Sequence, residues 1–106
     1  MPFMRRYTLP LLLAALLAGV TLSGCAGAPL QEMSDARQAV RAAERAGAAK
    51  HAPEPLAEAR QLVEQARLNM QKGEYKAARE DAEKAREKAT EARRLAEAAV
   101  APPPGA

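Results

Sequence analysis

The chain has 106 residues, 48% hydrophobic but only 3% aromatic, with a formal net charge of +3. Alanine supplies 27 of the apolar residues, leucine 12 and valine four, and isoleucine is missing. So poor a supply of β-branched and aromatic side chains excludes a β-sandwich, a barrel and a doubly wound α/β sheet. With 27% charged residues, the composition fits one small, well-solvated all-α domain.

Residues 1–24 read as an address rather than part of the fold. Arg5 and Arg6 precede an apolar run from Leu9 to Val20, and Leu22-Ser23-Gly24-Cys25 follows. Thr8 to Leu22 is shorter than the roughly 20 apolar residues of a spanning helix and contains Pro10, so a signal peptide fits better than an anchor helix. Leu22, Ser23, Gly24 and Cys25 resemble the lipobox of bacterial lipoproteins at all four positions. Small residues before the cut admit the peptidase, and the thiol after it accepts a lipid. The resemblance implies cleavage after Gly24 and a mature N-terminus at Cys25 that carries a covalent diacylglycerol and an N-acyl chain, which palmitate would label. Each buried CH₂ contributes about 0.8 kcal/mol, so two or three such chains hold a protein on a bilayer. Residue 26 is Ala rather than the Asp of the inner-membrane retention signal. The resemblance therefore implies the periplasmic face of the outer membrane. Cys25 is the only cysteine, so no disulfide is expected. Loss of Arg5 and Arg6 leaves 14 basic against 13 acidic residues. Their signs are interleaved, which argues against a nucleic-acid partner.

After a lipidated tether over 25–33, the pattern predicts a helical domain over 34–100, with helices at about 34–47, 54–72 and 74–100. In the first, Ser34 or Asp35 is placed to cap, Asp35 and Gln38 having capping-box spacing. Met33, Ala36, Val40 and Ala43 form its apolar stripe, and Gly47 is its expected stop. Ala48 to Ala52 reads as a small-residue connector. Pro53 and Pro55 open the second helix, where a missing N–H costs nothing. Its inner face carries Leu56, Ala59, Val63, Ala66 and Met70, with Leu62 at the edge and Leu68 on the far side; Gly73 ends it.

The third helix has no breaker until Pro102. Tyr75, Ala78, Ala82, Ala85, Ala89, Ala92, Ala96 and Ala99 alternate by three and four, the a/d spacing of a coiled-coil seam. Lys76–Glu80, Glu80–Lys84 and Arg93–Glu97 are expected ion pairs along its surface. Residues 101–106 form a Pro-rich, disordered tail. Methyl groups bury little area, so the core is expected to be thin for the 82 residues from Cys25 onward. That predicts support from a protein partner or from self-association through helix 74–100.

Chemistry-bearing clusters are scarce. His51 is the only histidine and has no second ligand at metal spacing, so it reads as a solvated loop residue. Ser34 reads as a cap rather than a nucleophile, because no base can be argued beside it. Carboxylate pairs such as Glu80 and Glu83 lie on a solvated helix face. No catalytic residue, metal site or non-covalent cofactor is expected, and the chain reads as a non-enzyme.

Gly73-Glu74-Tyr75-Lys76-Ala77-Ala78, followed by Ala82 and Ala85, resembles the opening of the second helix of a tetratricopeptide repeat, where the tyrosine staples a helical hairpin. Only one such unit is present, and arrays need about three. More extensive is the succession of lipobox, Met33-Ser34-Asp35-Ala36-Arg37-Gln38-Ala39-Val40, Ala46-Gly47-Ala48, Ala52-Pro53, Leu56-Ala57-Glu58-Ala59 and Gly73-Glu74-Tyr75. Over roughly residues 28–100 it is similar to the bacterial lipoprotein family catalogued as domain of unknown function 4398. The resemblance implies a small helical hairpin or three-helix domain. Some relatives of this kind carry an OmpA-like domain; none follows here, so peptidoglycan binding is not carried over. The Ala seam also resembles the small murein lipoproteins, but their terminal Lys is absent here, and Gly47, Pro53, Pro55 and Gly73 interrupt a single rod. The expected role is structural or adaptor-like at the cell envelope. A coiled-coil spacer of the murein-lipoprotein type and a non-covalent peptidoglycan module are the alternatives.

Overall fold

The computed structural model describes residues 27–105. They form an all-α domain of four helices: α1 (Leu30–Arg45), α2 (Ala48–His51), α3 (Pro53–Gln71) and α4 (Tyr75–Val100). Among the described residues there is no strand.

The first helix begins a turn earlier than the expected position 34. Pro29, itself fully buried, stands at the N-cap, and its carbonyl accepts the first helical bond from the Met33 amide at 3.0 Å. Proline pre-sets the φ that a helix entrance tolerates, and Glu32 in the first turn complements the helix dipole. Ser34 and Asp35 therefore cap nothing. They sit inside the helix and accept i,i+4 hydrogen bonds, Ser34 from Gln38 and Asp35 from Gln31. Residues 30–33, expected in the tether, belong to α1. Met33, Ala36, Val40 and Ala43 are the buried residues of α1.

Gly47 stops α1 in the left-handed conformation, φ +88°. The small-residue connector folds as the one-turn helix α2, whose Lys50 and His51 amides both donate to the Gly47 carbonyl. Ala48 and Ala52 are buried. Methyl-sized side chains allow this turn to lie flat on the bundle while the chain reverses. His51 lies at the end of α2, exposed, and not in a loop.

Pro53 begins α3, and the helix ends in a Schellman turn. Gly73, at φ +76°, donates to the Met70 carbonyl at 3.1 Å, and Glu74 donates to the Asn69 carbonyl at 2.8 Å. The reversal is tight enough for Asn69 on α3 to donate to the Asp81 carboxylate on α4 at 2.8 Å.

The helix directions follow from the two parts of the core. Near the hairpin turn, Met33 and Ala36 pack with Ala66, Ala82 and Ala85. At the other end, Val40 and Ala43 pack with Leu56, Ala59, Ala89, Ala92 and Ala96, and with Ala48 and Ala52 of the connecting segment. Thus α1 runs parallel to α4 and antiparallel to α3. Val63 packs on both parts. Ala78, Ala82, Ala85, Ala89, Ala92 and Ala96 are fully buried. The seam is thus filled by the chain's own α1 and α3. Leu56 and Pro29 are the largest fully buried side chains, and no polar or charged residue is buried among those described.

Candidate functional site

The lipobox residues Leu22, Ser23, Gly24 and Cys25 lie outside the described residues. What the structure offers chemically is a helical surface with two grooves and two ends.

Of the residues expected to pack the helices, Leu56, Ala59, Ala66, Ala78, Ala82 and Ala85 are buried, and Val63 and Met70 are half-buried at the margin of the core. Tyr75 is exposed at 39%. The reason is where α1 starts. The last buried residue of α3 is Ala66 and the first of α4 is Ala78, so the hairpin tip runs on past the buried core, with no further helix over it among the described residues. Ala99, at the opposite end of the seam, is also exposed, because α4 outruns the segment that covers it.

The first groove lies between α1 and α3 and has a volume of about 220 Å³. Val40 and Val63 contribute its apolar lining, and Arg37, Arg41, Glu44 and Arg60 its charged groups. Arg60 and Glu44 bridge the two helices at its rim, 3.5 Å apart. A second, more polar groove of about 470 Å³ runs between α1 and α4. Arg45, Arg86 and Arg93 line it, together with Asp35, Gln38 and Thr90. The Arg93 Nε donates to Glu97 at 2.8 Å, and the Thr90 hydroxyl donates to the Arg86 carbonyl.

Other charges tie helices together rather than forming a site. Arg79 on α4 meets Glu32 on α1 at 3.5 Å, and its guanidinium also donates to the Gly27 carbonyl at 3.3 Å. Lys88 on α4 reaches Glu58 on α3 at 3.3 Å and Glu91 on its own helix at 3.5 Å. Both carboxylates raise the Lys88 pKa, Glu58 more than Glu91. Glu64 is held below the ordinary glutamate value by the hydrogen bond from Arg67. These groups are exposed or half-buried at the surface, where an ion pair contributes about 0–1 kcal/mol. Of the expected surface pairs, Arg93–Glu97 forms, while Lys76–Glu80 and Glu80–Lys84 are not within 4.0 Å; the carboxylates paired with α4 cations include residues from all three long helices instead.

Among the described residues no three His, Cys, Asp or Glu side chains converge as a metal site, and no helix is long and apolar enough to cross a membrane. The two grooves escaped sequence reasoning because they depend on which helix faces come to lie side by side. The i,i+4 spacing of Arg37, Arg41 and Arg45 was a legible part of the signal.

The fold is that of a small all-α domain, a helical hairpin with a third long helix laid along it. The chain belongs to the family described as Domain of unknown function (DUF4398), whose profile matches residues 31–102. The match runs from the first turn of α1 to just past the end of α4. No curated protein and no solved structure matches the chain significantly.

Proposed function

We propose that the protein is a lipoprotein anchored through Cys25 at the periplasmic face of the outer membrane, and that its helical domain is a structural adaptor for envelope proteins with no catalytic role. The observation that carries this reading is Leu22-Ser23-Gly24-Cys25, with the chain's one cysteine at the lipid-accepting position behind an apolar run. The adaptor half draws support from the surface. Arginines rim two interhelical grooves, one with an apolar lining, and such grooves suit a partner segment that carries carboxylates beside small apolar side chains. A partner or a second copy engaging helix 74–100 meets its outward faces, since the seam is covered. A murein-type spacer needs that seam shared between chains and has the weaker support.

Metabolic palmitate labelling of wild type against Cys25→Ser tests the anchor. Label on the wild type alone is expected, and equal labelling refutes it. In-cell crosslinking from Arg41 and Arg86 positions tests the adaptor role. Adducts with one envelope protein are expected, whereas recovery with purified peptidoglycan and no protein adduct points to the wall-binding alternative.

A further inference from the structure

We propose that the tip of the α3–α4 hairpin is a membrane seat, which lies in the lipid headgroup layer and stands the domain upright on the bilayer; this rests on the Cys25 anchor. The argument begins with exposed apolar residues. Among the described residues five large hydrophobic side chains are exposed, and three of them, Leu30 at 69%, Leu68 at 41% and Tyr75 at 39%, belong to one end of the bundle. That end is defined by contacts: Arg79 of α4 binds both Gly27 and Glu32, and Met33 packs between Ala66 and Ala82. The start of α1, the end of α3 and the start of α4 therefore meet there.

The reach of the chain bears on what lies beside them. Two peptide units separate Cys25 from Gly27, so their Cα atoms are at most about 7 Å apart. Gly27 is held through the Arg79 guanidinium, and Tyr75 opens α4 one turn, about 6 Å, before Arg79. The tip therefore belongs to the same end of the bundle as the point from which Cys25 is tethered. The polar layer on each side of a bilayer is about 5–7 Å deep. Acyl chains on Cys25 in the hydrocarbon would hold the end of the bundle that carries the tip close to the headgroups.

The side chains at the tip suit that layer. Tyrosine partitions to membrane interfaces, with its ring toward the chains and its hydroxyl in water. Lys72 and Lys76 flank it, exposed, and can lay their stems along the lipid while their ammonium groups stay at phosphate level. Glu74 is the one carboxylate between them, and Glu32 at the same end is matched by Arg79. The local charge is thus only weakly positive, and the seat depends on Leu30, Leu68 and Tyr75 more than on anionic lipid.

The test uses the mature lipidated protein in vesicles of phosphatidylethanolamine and phosphatidylglycerol. The chain has no tryptophan. Tyr75→Trp and, at the opposite end, Leu95→Trp therefore each report a single site. With brominated acyl chains, the indole of Tyr75→Trp should lose most of its emission and shift to the blue, and that of Leu95→Trp should do neither. Equal, unquenched emission from both variants on vesicle-bound protein overturns the seat while leaving the anchor standing. A blue shift at position 75 without bromine quenching means that a second copy covers the tip, and also overturns it. Protein that takes no palmitate and does not float with the vesicles overturns the anchor, and the seat with it.

Discussion

Leu56 is the one leucine among the largest fully buried side chains of a core otherwise built mainly from methyl groups. It packs where α3 begins, beside Ala52 and Ala92. Leu56→Ala should cost about 2–5 kcal/mol, a large share of what a domain of this size holds, and circular dichroism should show a collapsed or missing thermal transition. Gly73 is a smaller case with a different cause. A Cβ there would meet nothing within 4 Å, so Gly73→Ala tests conformation alone. With φ at +76°, the substitution should cost about 1 kcal/mol and lower the melting temperature by about 4–8 °C. Titration offers little leverage on stability. The contribution of Glu64, whose pKa is lowered by Arg67, is present above the ordinary glutamate value and is lost as pH falls through the lowered one. That of Lys88, whose pKa is raised by Glu58 and then Glu91, is present below the ordinary lysine value and is lost as pH rises through the raised one. Melting curves at about pH 7.5 and about pH 9 should therefore superimpose.

Among the elements, α4 is the member on which the others rest. Its six buried alanines let α1 and α3 approach closely along most of its length. Close approach compensates for small area, since dispersion contacts accumulate with proximity. The same seam would read differently in a rod shared between chains. There, leucine at an a or d position strengthens association. Here, Ala85→Leu inserts three carbons between Met33, Ala36 and Ala66 and should cost about 1–3 kcal/mol or more. Thermal melts with sedimentation check this directly: a lower midpoint is expected, and a higher midpoint with a new oligomer would show that the seam works between chains.

For the whole molecule, the parallel and antiparallel directions of the helices separate two ends. The hairpin tip and Gly27 share one. Leu95, Val100 and the proline segment share the other, with α4 spanning about 39 Å between them over its 26 residues. On a bilayer seated at the tip, the far end stands clear of the headgroups and out toward the periplasm. Crosslinkers placed at Leu95 should then capture envelope protein, whereas crosslinkers at Lys72 should capture lipid. The reverse pattern would invert the molecule.

Much of this was written in the chain before folding. An alanine-rich, aromatic-poor composition permits helices and little else, and the glycines at 47 and 73 end helices because only they accept a positive φ at low cost. The 3-4 spacing marked which side of α4 would be dry. Local chemistry could not say what would lie against it. A seam of methyl groups is equally compatible with a second chain and with α1 and α3, and the choice depends on Gly47, α2 and Ala52 turning the chain back on itself. The start of α1 misled in the same way: Ser34 and Asp35 are good caps in isolation, but Met33 gains a place in the core only if the helix begins at Leu30. The exposure of Tyr75 follows from that start. Helix propensity and hydrophobic period are properties of neighbouring residues, so sequence reveals them. Which residues stay uncovered at the tip depends on where another helix ends in space, and that is settled by packing over distances along the chain that no local pattern encodes.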